Sequence, residues 1–397
     1  MPNHTAVRIT EKVWWVGAID WELRDFHGYS TKRGTTYNAY LVMGSEPVLI
    51  DTVKAPFAGE MLERIASVTE PAKIRTVISN HAEMDHSGSL PEVARHIKPD
   101  RIICSAMGEA ALKAHFHADW KLQPVKDGSE MEIGGERFQF LEARMLHWPD
   151  SMVSFLPSDG VLFSNDIFGM HLAHSHRFDD ETVGWYYEAA KYYANIILPF
   201  SGIVTAFLEK FKAKNLPVKI IAPDHGPVWR KDIEKIIALY AKWAAQQPTD
   251  TAIVLFDTMW KSTEKLAGAA AEGLVSGGAK VKVMPLRAHH RSDVAVELLE
   301  AGALLVGGPT MNKQPFPTLA DALTYLKGLN HKNLTGGAFG SYGWSPDGPR
   351  WIEAQLREMG VKLAGETVTC RYVPDAAALD AAFRLGEAVA KSIKRQP

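Results

Sequence analysis

The chain has 397 residues, and its 44 Lys and Arg residues nearly balance its 46 Asp and Glu residues, which leaves a net charge of −2. This balance excludes a strongly basic nucleic-acid-binding protein, and the length predicts two or three domains. The two cysteines exclude a disulfide scaffold, a Cys-rich zinc module and a Cys-ligated iron–sulfur cluster. In chain order, the N-terminus lacks a signal-peptide pattern, and no apolar run approaches the roughly 20 residues of a membrane span. We therefore expect a soluble, cytoplasmic protein without membrane or nucleic-acid partners.

The sequence changes character near residue 250. Twelve of the 15 histidines precede this point. A helical pattern over residues 232–247 ends before Pro248, since proline disfavours helix at the residue that precedes it. We therefore predict one domain over residues 1–248 and another over 249–397. The first is mixed α/β, with predicted strands at Val13–Val16, Tyr40–Met43, Val48–Asp51, Thr76–Ser79 and Arg101–Cys104.

The C-terminal part alternates regularly between apolar runs and helical patterns. Five such units of about 30 residues favour a doubly wound parallel sheet of flavodoxin type. The predicted strands are Ala252–Phe256, Val281–Pro285, Ala303–Gly307, Leu334–Phe339 and Lys362–Tyr372. The predicted helices are Ser262–Glu272, Asp293–Glu300, Thr318–Leu329, Arg350–Met359 and Ala376–Ile393.

One loop carries four potential metal ligands within six residues: His81, Glu83, Asp85 and His86. In an extended loop the first three would alternate onto one side, and His86 would turn toward a second point. This arrangement suits a pair of metals, and the alternative is a solvated polar loop that caps the next helix. Further candidate ligands occupy similar positions near strand ends, namely His147, Asp166 and His225.

This ordered set resembles the metallo-β-lactamase fold and, more narrowly, the flavodiiron proteins. Hydrolases of that fold usually carry His-x-His-x-Asp-His and bind zinc, whereas the second position here is Glu83. A carboxylate makes the site harder and more anionic, which shifts its preference toward iron. The resemblance implies the following ligand set: His81, Glu83 and His147 on one iron, Asp85 and His225 on the other, Asp166 as a bridge, and His86 as a ligand in some members only.

The resemblance covers essentially the whole chain, including the segments 27–31 and 34–38. It implies an αββα sandwich followed by the flavodoxin-like domain. It also implies that His27 and Tyr193 line the diiron pocket as hydrogen-bond donors to a bound oxygen species. Packing within the tyrosine-rich segment 185–193 is an equally good explanation of Tyr193. His171 is a candidate supporting residue close to Asp166.

Three loops of the C-terminal part point to a flavin. Hydroxyls follow the first strand and open a helix, whose free N–H groups suit a phosphate; a simple capped helix is the alternative. Loops after the third and fourth strands would converge at the same sheet edge. They resemble the flavin mononucleotide (FMN) loops of the same family, although segment 345–348 is bulkier than expected. The candidate FMN residues are Thr258, Met259, Trp260, Ser262, Thr263, Pro309, Thr310, Asn312, Gly340, Ser341, Tyr342, Gly343 and Trp344.

The leading hypothesis is a flavodiiron oxidoreductase with two iron ions and FMN, which reduces dioxygen to water, nitric oxide to nitrous oxide, or both. The resemblance implies a head-to-tail homodimer or a dimer of dimers. We expect an external electron donor, because no C-terminal Cys-x-x-Cys pair occurs. A rubredoxin, another flavoprotein and a reduced deazaflavin all remain open as donors. Two rival hypotheses are a dinuclear metal-dependent hydrolase with a flavodoxin-like partner domain, and a flavodoxin-like electron carrier with a vestigial metal domain.

Overall fold

The computed structural model describes residues 4–393, which divide into two compact units. The first unit comprises residues 4–27, 31–192 and 202–241, and the second comprises 28–30, 193–201 and 242–393. The division at 241 lies inside the helix Ile233–Ala245. The composition change at Pro248 therefore marks the end of that helix, a few residues beyond the division between the units.

The first unit is built on two β-sheets. The larger sheet has seven strands, in spatial order Val7–Arg8, Val13–Trp15, Tyr40–Val42, Val48–Ile50, Thr76–Ile78, Arg101–Ser105 and Leu122–Val125. Its last four strands pair in parallel and the others antiparallel. The second sheet has five strands, in the order Glu130–Ile133, Glu136–Glu142, Met152–Leu156, Val161–Asn165 and Ile220–Pro223.

Side-chain alternation along the strands builds two separate apolar cores in this unit. Tyr40 and Val42 belong to the core that also contains Phe140 and Phe163 of the second sheet, whereas Leu41 points into a core shared with helices. The two sheets thus face each other, and helices cover the outer face of the larger one, as predicted. The helices of this part of the chain are Ala58–Ala66, Met84–Ser87, Leu90–Ile97, Ala106–Phe116, Trp185–Tyr192, Ser201–Lys214 and Ile233–Ala245.

Shorter elements connect these layers. They are the strands Ala18–Asp20, Asp25–Phe26, Tyr29–Ser30 and Thr35–Tyr37, the 3₁₀-helices Ala55–Phe57, Pro71–Lys73, Asp179–Glu181 and Leu198–Phe200, and the π-helix Tyr193–Ile197. Among the described residues, one helical stretch, Trp185–Lys214, has the length and hydropathy of a membrane span. It is broken by the π and 3₁₀ segments and includes buried residues such as Ala189, Tyr192 and Val204, so this is weak evidence for a span.

The second unit is a parallel sheet with helices, as the sequence predicts. Its strands lie in the order Lys280–Pro285, Thr251–Phe256, Ala303–Gly307, Thr335–Tyr342, and finally Lys362–Leu363 with Val368–Arg371. This is the 2-1-3-4-5 order of flavodoxin-type folds. The helices are Ser262–Ser276, Arg291–Leu298, Pro317–Leu329, Asp347–Glu358 and Ala376–Ile393, and a small hairpin joins Thr310–Met311 to Gln314–Pro315.

The prediction of one continuous strand over 362–372 is wrong in its middle. Leu363 pairs with Gly336, and Val368 pairs with Phe339 of the same neighbouring strand. The outer segment therefore uses five residue steps where its neighbour uses three. The two extra residues cannot stay in register, so residues 364–367 leave the sheet and divide the strand into two.

Candidate metal centre and flavin cavity

Seven side chains with metal-binding atoms gather in the first unit as two groups. Within each group, one nitrogen or oxygen atom of every residue lies within 4.8 Å of the others. Most of them follow the strands Thr76–Ile78, Val161–Asn165 and Ile220–Pro223, so the sandwich delivers them to one place. The first group is His81, Glu83, His147 and Asp166, and the second is Asp85, His86 and His225.

The Asp166 carboxylate lies between the two groups and presents one oxygen to each. Its Oδ2 is 3.1 Å from His147 Nε2 and 3.4 Å from His81 Nε2. Its Oδ1 is 3.2 Å from His86 Nε2 and 3.5 Å from His225 Nε2. A carboxylate placed in this way has the geometry of a bridging ligand between two metal ions.

The ligand loop after the strand Thr76–Ile78 is only partly extended. Residues Met84–Ser87 form a short helical turn, so the expected alternation over the whole loop is wrong. His81 and Glu83 come from the extended part and join the first group, whereas Asp85 and His86 come from the turn and join the second. His86 Nε2 faces the site, 3.4 Å from Asp85 Oδ1. Because of this turn, the candidate ligands of one loop are divided between the two groups.

The buried atoms of this cluster fit a pair of iron ions. Both Asp85 carboxylate oxygens, Asp166 Oδ1 and His86 Nε2 have no hydrogen-bond partner among the described residues. Buried polar atoms in this state are costly unless something else satisfies them, and coordination to a metal does so. Asp85 Oδ2 is only 3.2 Å from His225 Nε2, which suits two ligands of one ion. Four imidazoles with three carboxylates and no thiolate favour iron over a structural zinc site.

The carboxylates of the cluster raise the pKa values of His81 and His147. Burial lowers the pKa of His81, but the Asp150 and Glu83 carboxylates outweigh burial and hold it well above its usual value. Burial likewise opposes the carboxylates Asp166 and Glu83 at His147, whose pKa is raised to about 9. Burial raises the pKa of Glu83, yet hydrogen bonds from His147 and His81 bring it down to about 2. Metal binding must therefore displace protons from the histidines.

Hydrogen bonds behind two of the candidate ligand rings fix their orientation. Asp150 Oδ2 lies 3.0 Å from His81 Nδ1 and also accepts the Ala82 N–H. His225 Nδ1 donates to the Thr36 carbonyl at 2.6 Å. Each contact leaves the Nε2 atom turned toward the metal groups.

Asp224 occupies the corresponding position behind a third ring, with its Oδ2 3.6 Å from His86 Nδ1. Neither Asp150 nor Asp224 was predicted from the sequence to have such a role. A usable signal was present, because Asp224 directly precedes His225 and Asp150 follows His147 by three residues.

The two predicted hydrogen-bond donors of the pocket occupy different surroundings. His27 is exposed, and its Nε2 lies 3.6 Å from Glu83 Oε1 at the rim of the first group. Tyr193 belongs to the second unit, where its hydroxyl lies 3.2 Å from Ser201 Oγ and its ring packs on Trp243. The structure therefore places Tyr193 in the packing role that was the alternative explanation.

The preceding tyrosine faces the metal cluster instead. The Tyr192 ring centre lies 5.1 Å from that of His171 and 6.0 Å from that of His225. Burial, the Asp166 carboxylate and a hydrogen bond to Asp166 all raise the pKa of Tyr192 well above its usual value. One residue step on a helix rotates a side chain by about 100°, which explains how the sequence pattern pointed to the wrong neighbour.

A cavity of about 560 Å³ opens in the second unit. Most of the predicted FMN residues line it, and Met311, Tyr372 and Val373 join them. The lining residues are Met259, Trp260, Ser262, Pro309, Thr310, Met311, Asn312, Ser341, Tyr342, Gly343, Trp344, Tyr372 and Val373. Trp260 and Trp344 are 90% and 74% exposed, so two indole rings stand free around the opening.

The remaining predicted FMN residues, Thr258, Thr263 and Gly340, belong to the same three segments and are buried. Thr258 Oγ1 is buried without a hydrogen-bond partner among the described residues, near the N-terminus of the helix Ser262–Ser276. Thr263 Oγ1 lies 3.2 Å from Ser341 Oγ and ties two loops together. A Cβ on Gly340 would lie 2.0 Å from the Gly308 carbonyl oxygen, so a side chain there would push the loops apart. An unpaired hydroxyl beside helix N–H groups fits a phosphate, and the apolar lining fits a flat ring.

Comparisons with known proteins agree with both halves of this description. Residues 35–226 match the model of the ODP family of β-lactamase-like domains, and residues 254–386 match the flavodoxin family. The chain is 42% identical to the nitric oxide reductase of Moorella thermoacetica, over 98% of each chain. It is 40% identical to the rubredoxin-oxygen oxidoreductase of Megalodesulfovibrio gigas, also over 98% of each chain.

Solved structures extend the agreement to the whole fold. Rubredoxin:oxygen oxidoreductase from Desulfovibrio gigas superposes with a TM-score of 0.96 at 40% identity, and the match covers 98% of this chain and 99% of that chain. The flavodiiron protein from Giardia intestinalis gives a TM-score of 0.93 at 32% identity, covering 98% and 97% respectively. The β-lactamase-like fold followed by a flavodoxin-like fold is thereby confirmed. On this evidence, the chain belongs to the flavodiiron protein family.

Proposed function

We propose that this protein is a flavodiiron oxidoreductase that reduces dioxygen to water, nitric oxide to nitrous oxide, or both. Electrons pass from an external donor to FMN and from there to a diiron centre. The observation that carries the proposal is the Asp166 carboxylate, which offers one oxygen to each of two complete ligand groups. The names of the two relatives described above, one a nitric oxide reductase and one an oxygen oxidoreductase, support both reactions.

The first unit would hold the two irons with the seven ligands. His81, Glu83 and His147 serve one ion, Asp85, His86 and His225 serve the other, and Asp166 bridges them. When bound, the pair supplies reducing electrons and open positions for two diatomic molecules or one. The three carboxylates offset the charge of the ions, and His147, whose side chain is 13% exposed, lies on the side of the cluster nearest to solvent.

Two side chains of this unit are placed to donate hydrogen bonds to a bound oxygen species. His27 stands at the exposed rim beside Glu83. Tyr192 is buried on the side of Asp166, and it takes the role that the sequence pattern assigned to Tyr193. Burial keeps the Tyr192 phenol protonated, so it can donate a hydrogen bond without itself ionising.

The second unit would hold FMN. The N-terminus of the helix Ser262–Ser276 and the hydroxyls of Thr258, Ser262 and Thr263 receive the phosphate, and the loops at 309–312 and 340–344 surround the ring. Tyr342 and Trp344 line the cavity and can stack on the isoalloxazine. We place the functional boundary between the two domains at 248 and 249, after the helix that joins them.

The two cofactors belong to different units, and electrons must pass from one cofactor to the other. We propose a head-to-tail homodimer, alone or as a dimer of dimers, in which the flavin of one copy serves the iron centre of the other. A separate protein, such as a rubredoxin or another flavoprotein, or a reduced deazaflavin supplies the electrons. The name of the Megalodesulfovibrio relative favours a rubredoxin. A cytoplasmic location suits such a donor.

The test is anaerobic purification of the full chain, followed by metal and flavin analysis. We expect two irons and one FMN per chain, and consumption of dioxygen or nitric oxide when a reduced donor is supplied with each gas separately. Two zinc ions without flavin, together with hydrolysis of ester or thioester substrates, would instead establish the dinuclear hydrolase. Flavin reduction without metal and without gas consumption would establish the electron carrier.

A further inference from the structure

Trp148 lies between the metal cluster and the surface of the first unit. Its ring centre is 5.3 Å from that of His81 and meets it edge to face, at 84°. It is also 6.3 Å from the ring centre of His147. Trp148 is half-buried. An indole therefore touches two ligand imidazoles on one side and reaches solvent on the other.

Further rings lie beyond Trp148, at the end of the helix Ala106–Phe116 and just after it. The His115 ring stacks on Trp148 at a centre distance of 6.3 Å and an angle of 18°. Phe116 follows at 5.9 Å from His115, and Trp120 at 5.3 Å from Phe116. His115 is exposed, so this series of neighbouring rings leads from a metal ligand to the surface.

We propose that Trp148 supplies single electrons to the metal centre from the surface of the first unit, by a route that does not use the flavin. The inference rests on the proposed dioxygen reduction. Four electrons and four protons convert one dioxygen to two waters. When the flavin is already oxidised, the metal centre lacks some of these four electrons. Indole is among the side chains most easily oxidised by one electron, and Trp148 is the indole in ring contact with His81.

The step balances as follows. Trp148 gives one electron to the oxygen-derived oxidant held at the centre, and its indole N–H proton leaves to solvent, which produces a neutral tryptophan radical. The oxidant takes up that electron and one proton from water as it proceeds to water. A small thiol at the surface then returns one electron and one proton to the ring series, and two oxidised thiols combine as a disulfide.

The other aromatic neighbour of the centre is unsuited to this task. Tyr192 is buried, so an electron that leaves its ring has no direct path to the surface. Trp148 is half-buried and reaches solvent, which is why the route runs on its side of the cluster.

The exposed thioether of Met84 provides an internal reporter. Met84 lies in the ligand turn between Glu83 and Asp85 and is 46% exposed. Oxidants that escape reduction convert methionine to its sulfoxide. If Trp148 supplies electrons, its loss must increase sulfoxide at Met84, whereas Met311 in the second unit, which is 38% exposed, is a matched control.

The experiment uses the iron- and FMN-loaded full chain, reduced with a limiting amount of dithionite and then mixed with dioxygen. Samples are frozen within milliseconds for electron paramagnetic resonance, and parallel samples are digested for peptide mass spectrometry. The variants are W148F, which removes the oxidisable ring; W148Y, which restores a different one; and W21F as a control at an exposed tryptophan.

We expect a tryptophan radical in the wild type and W21F, none in W148F, and a tyrosyl signal in W148Y. Met84 sulfoxide should rise several-fold in W148F alone, with Met311 unchanged. Equal radical yield and equal Met84 oxidation in wild type and W148F, at equal iron content, would overturn the proposal. If the wild type consumes no dioxygen even with ample donor, the proposed dioxygen reduction itself has failed, and the two failures are thereby distinguished.

Discussion

The two cofactor sites of this molecule are built from different materials. The metal cluster of the first unit consists of buried, charged side chains, and the Asp150 carboxylate and a backbone carbonyl hold two of its rings in place. The flavin cavity of the second unit is open, and its shape comes from loops, glycines and exposed indoles. Charged groups therefore determine the geometry of the metal cluster, whereas the loop backbone determines the geometry of the flavin cavity.

This difference has consequences for what each site tolerates. Removing one charged group from a buried cluster leaves its partners uncompensated, which is expensive because the surroundings are of low polarity. Removing one contact from an open cavity costs about one hydrogen bond. Substitutions in the metal cluster should therefore weaken cofactor binding more than substitutions in the flavin cavity. The variants below test this order.

The largest effect is expected from D166N. Because Asp166 faces both ligand groups, the variant should lose iron from both and reduce neither gas, with FMN content unchanged. Loss of a group that only supports a ligand lowers metal affinity by up to about 100-fold. Loss of Asp166 should lower iron affinity by more than that. Metal analysis and gas-electrode measurements provide the readout. The control is D180N, at a carboxylate paired with Arg230 on the surface of the same unit; loss of only one iron in D166N would contradict a bridging role.

The next effect is expected from D150N, which touches no metal. The Asp150 carboxylate orients His81 through its Nδ1, so the amide should lower iron affinity by about 10- to 100-fold. Competition with a chelator measures that affinity. Unchanged affinity would show that the backbone alone positions His81.

A smaller effect is expected from T258V in the flavin cavity. The buried Thr258 hydroxyl is assigned to the phosphate, and a hydrogen bond to a charged group contributes about 1.5 kcal/mol or more. FMN should therefore bind about 10-fold more weakly, with iron content unchanged. Fluorescence titration of the flavin-free protein checks this value against S276A, at the far end of the same helix. A loss as large as that in D166N would overturn the contrast between the sites.

At neutral pH the smallest effect is expected at His331, where a loss of stability appears only in acid. Burial lowers the pKa of His331 in the second unit to about 4, although backbone carbonyls partly oppose it. The unfolded chain binds the proton more readily, so stability is intact above about pH 6.5 and falls as the pH drops toward 4, by up to about 3 kcal/mol. Denaturant unfolding at several pH values should show this loss in the wild type and a weaker one in H331N. Parallel curves for both proteins would contradict it.

The difference between a charged cluster and a cavity formed by loops also explains which features could be predicted from the sequence. The seven candidate ligands could be selected from the sequence because most of them closely follow an apolar strand, and because their order resembles a known family. The turn at Met84–Ser87 was not predictable, because a polar loop carries no periodic apolar signal that separates helix from extended chain. Asp150 and Asp224 were missed because their partners His81 and His86 are distant in sequence.

Errors in the second unit have a related origin. The cavity residues Tyr372 and Val373 follow the strand pair that the sequence presented as one strand, 362–372, so their position could not be derived. Tyr193 was assigned to the metal pocket because the pattern of adjacent tyrosines does not fix helix rotation, and Tyr192 is the one that faces the cluster.

Stopped-flow spectroscopy shows whether electrons stored on the flavin leave through the metal cluster. Fully reduced wild-type protein and H81N are mixed with each gas, and reoxidation of the flavin is followed by absorbance. We predict rapid reoxidation with at least one gas in the wild type, and a flavin in H81N that binds normally but stays reduced over the same time. Equal reoxidation rates in the two proteins with both gases would show that the flavin is oxidised without the metal cluster.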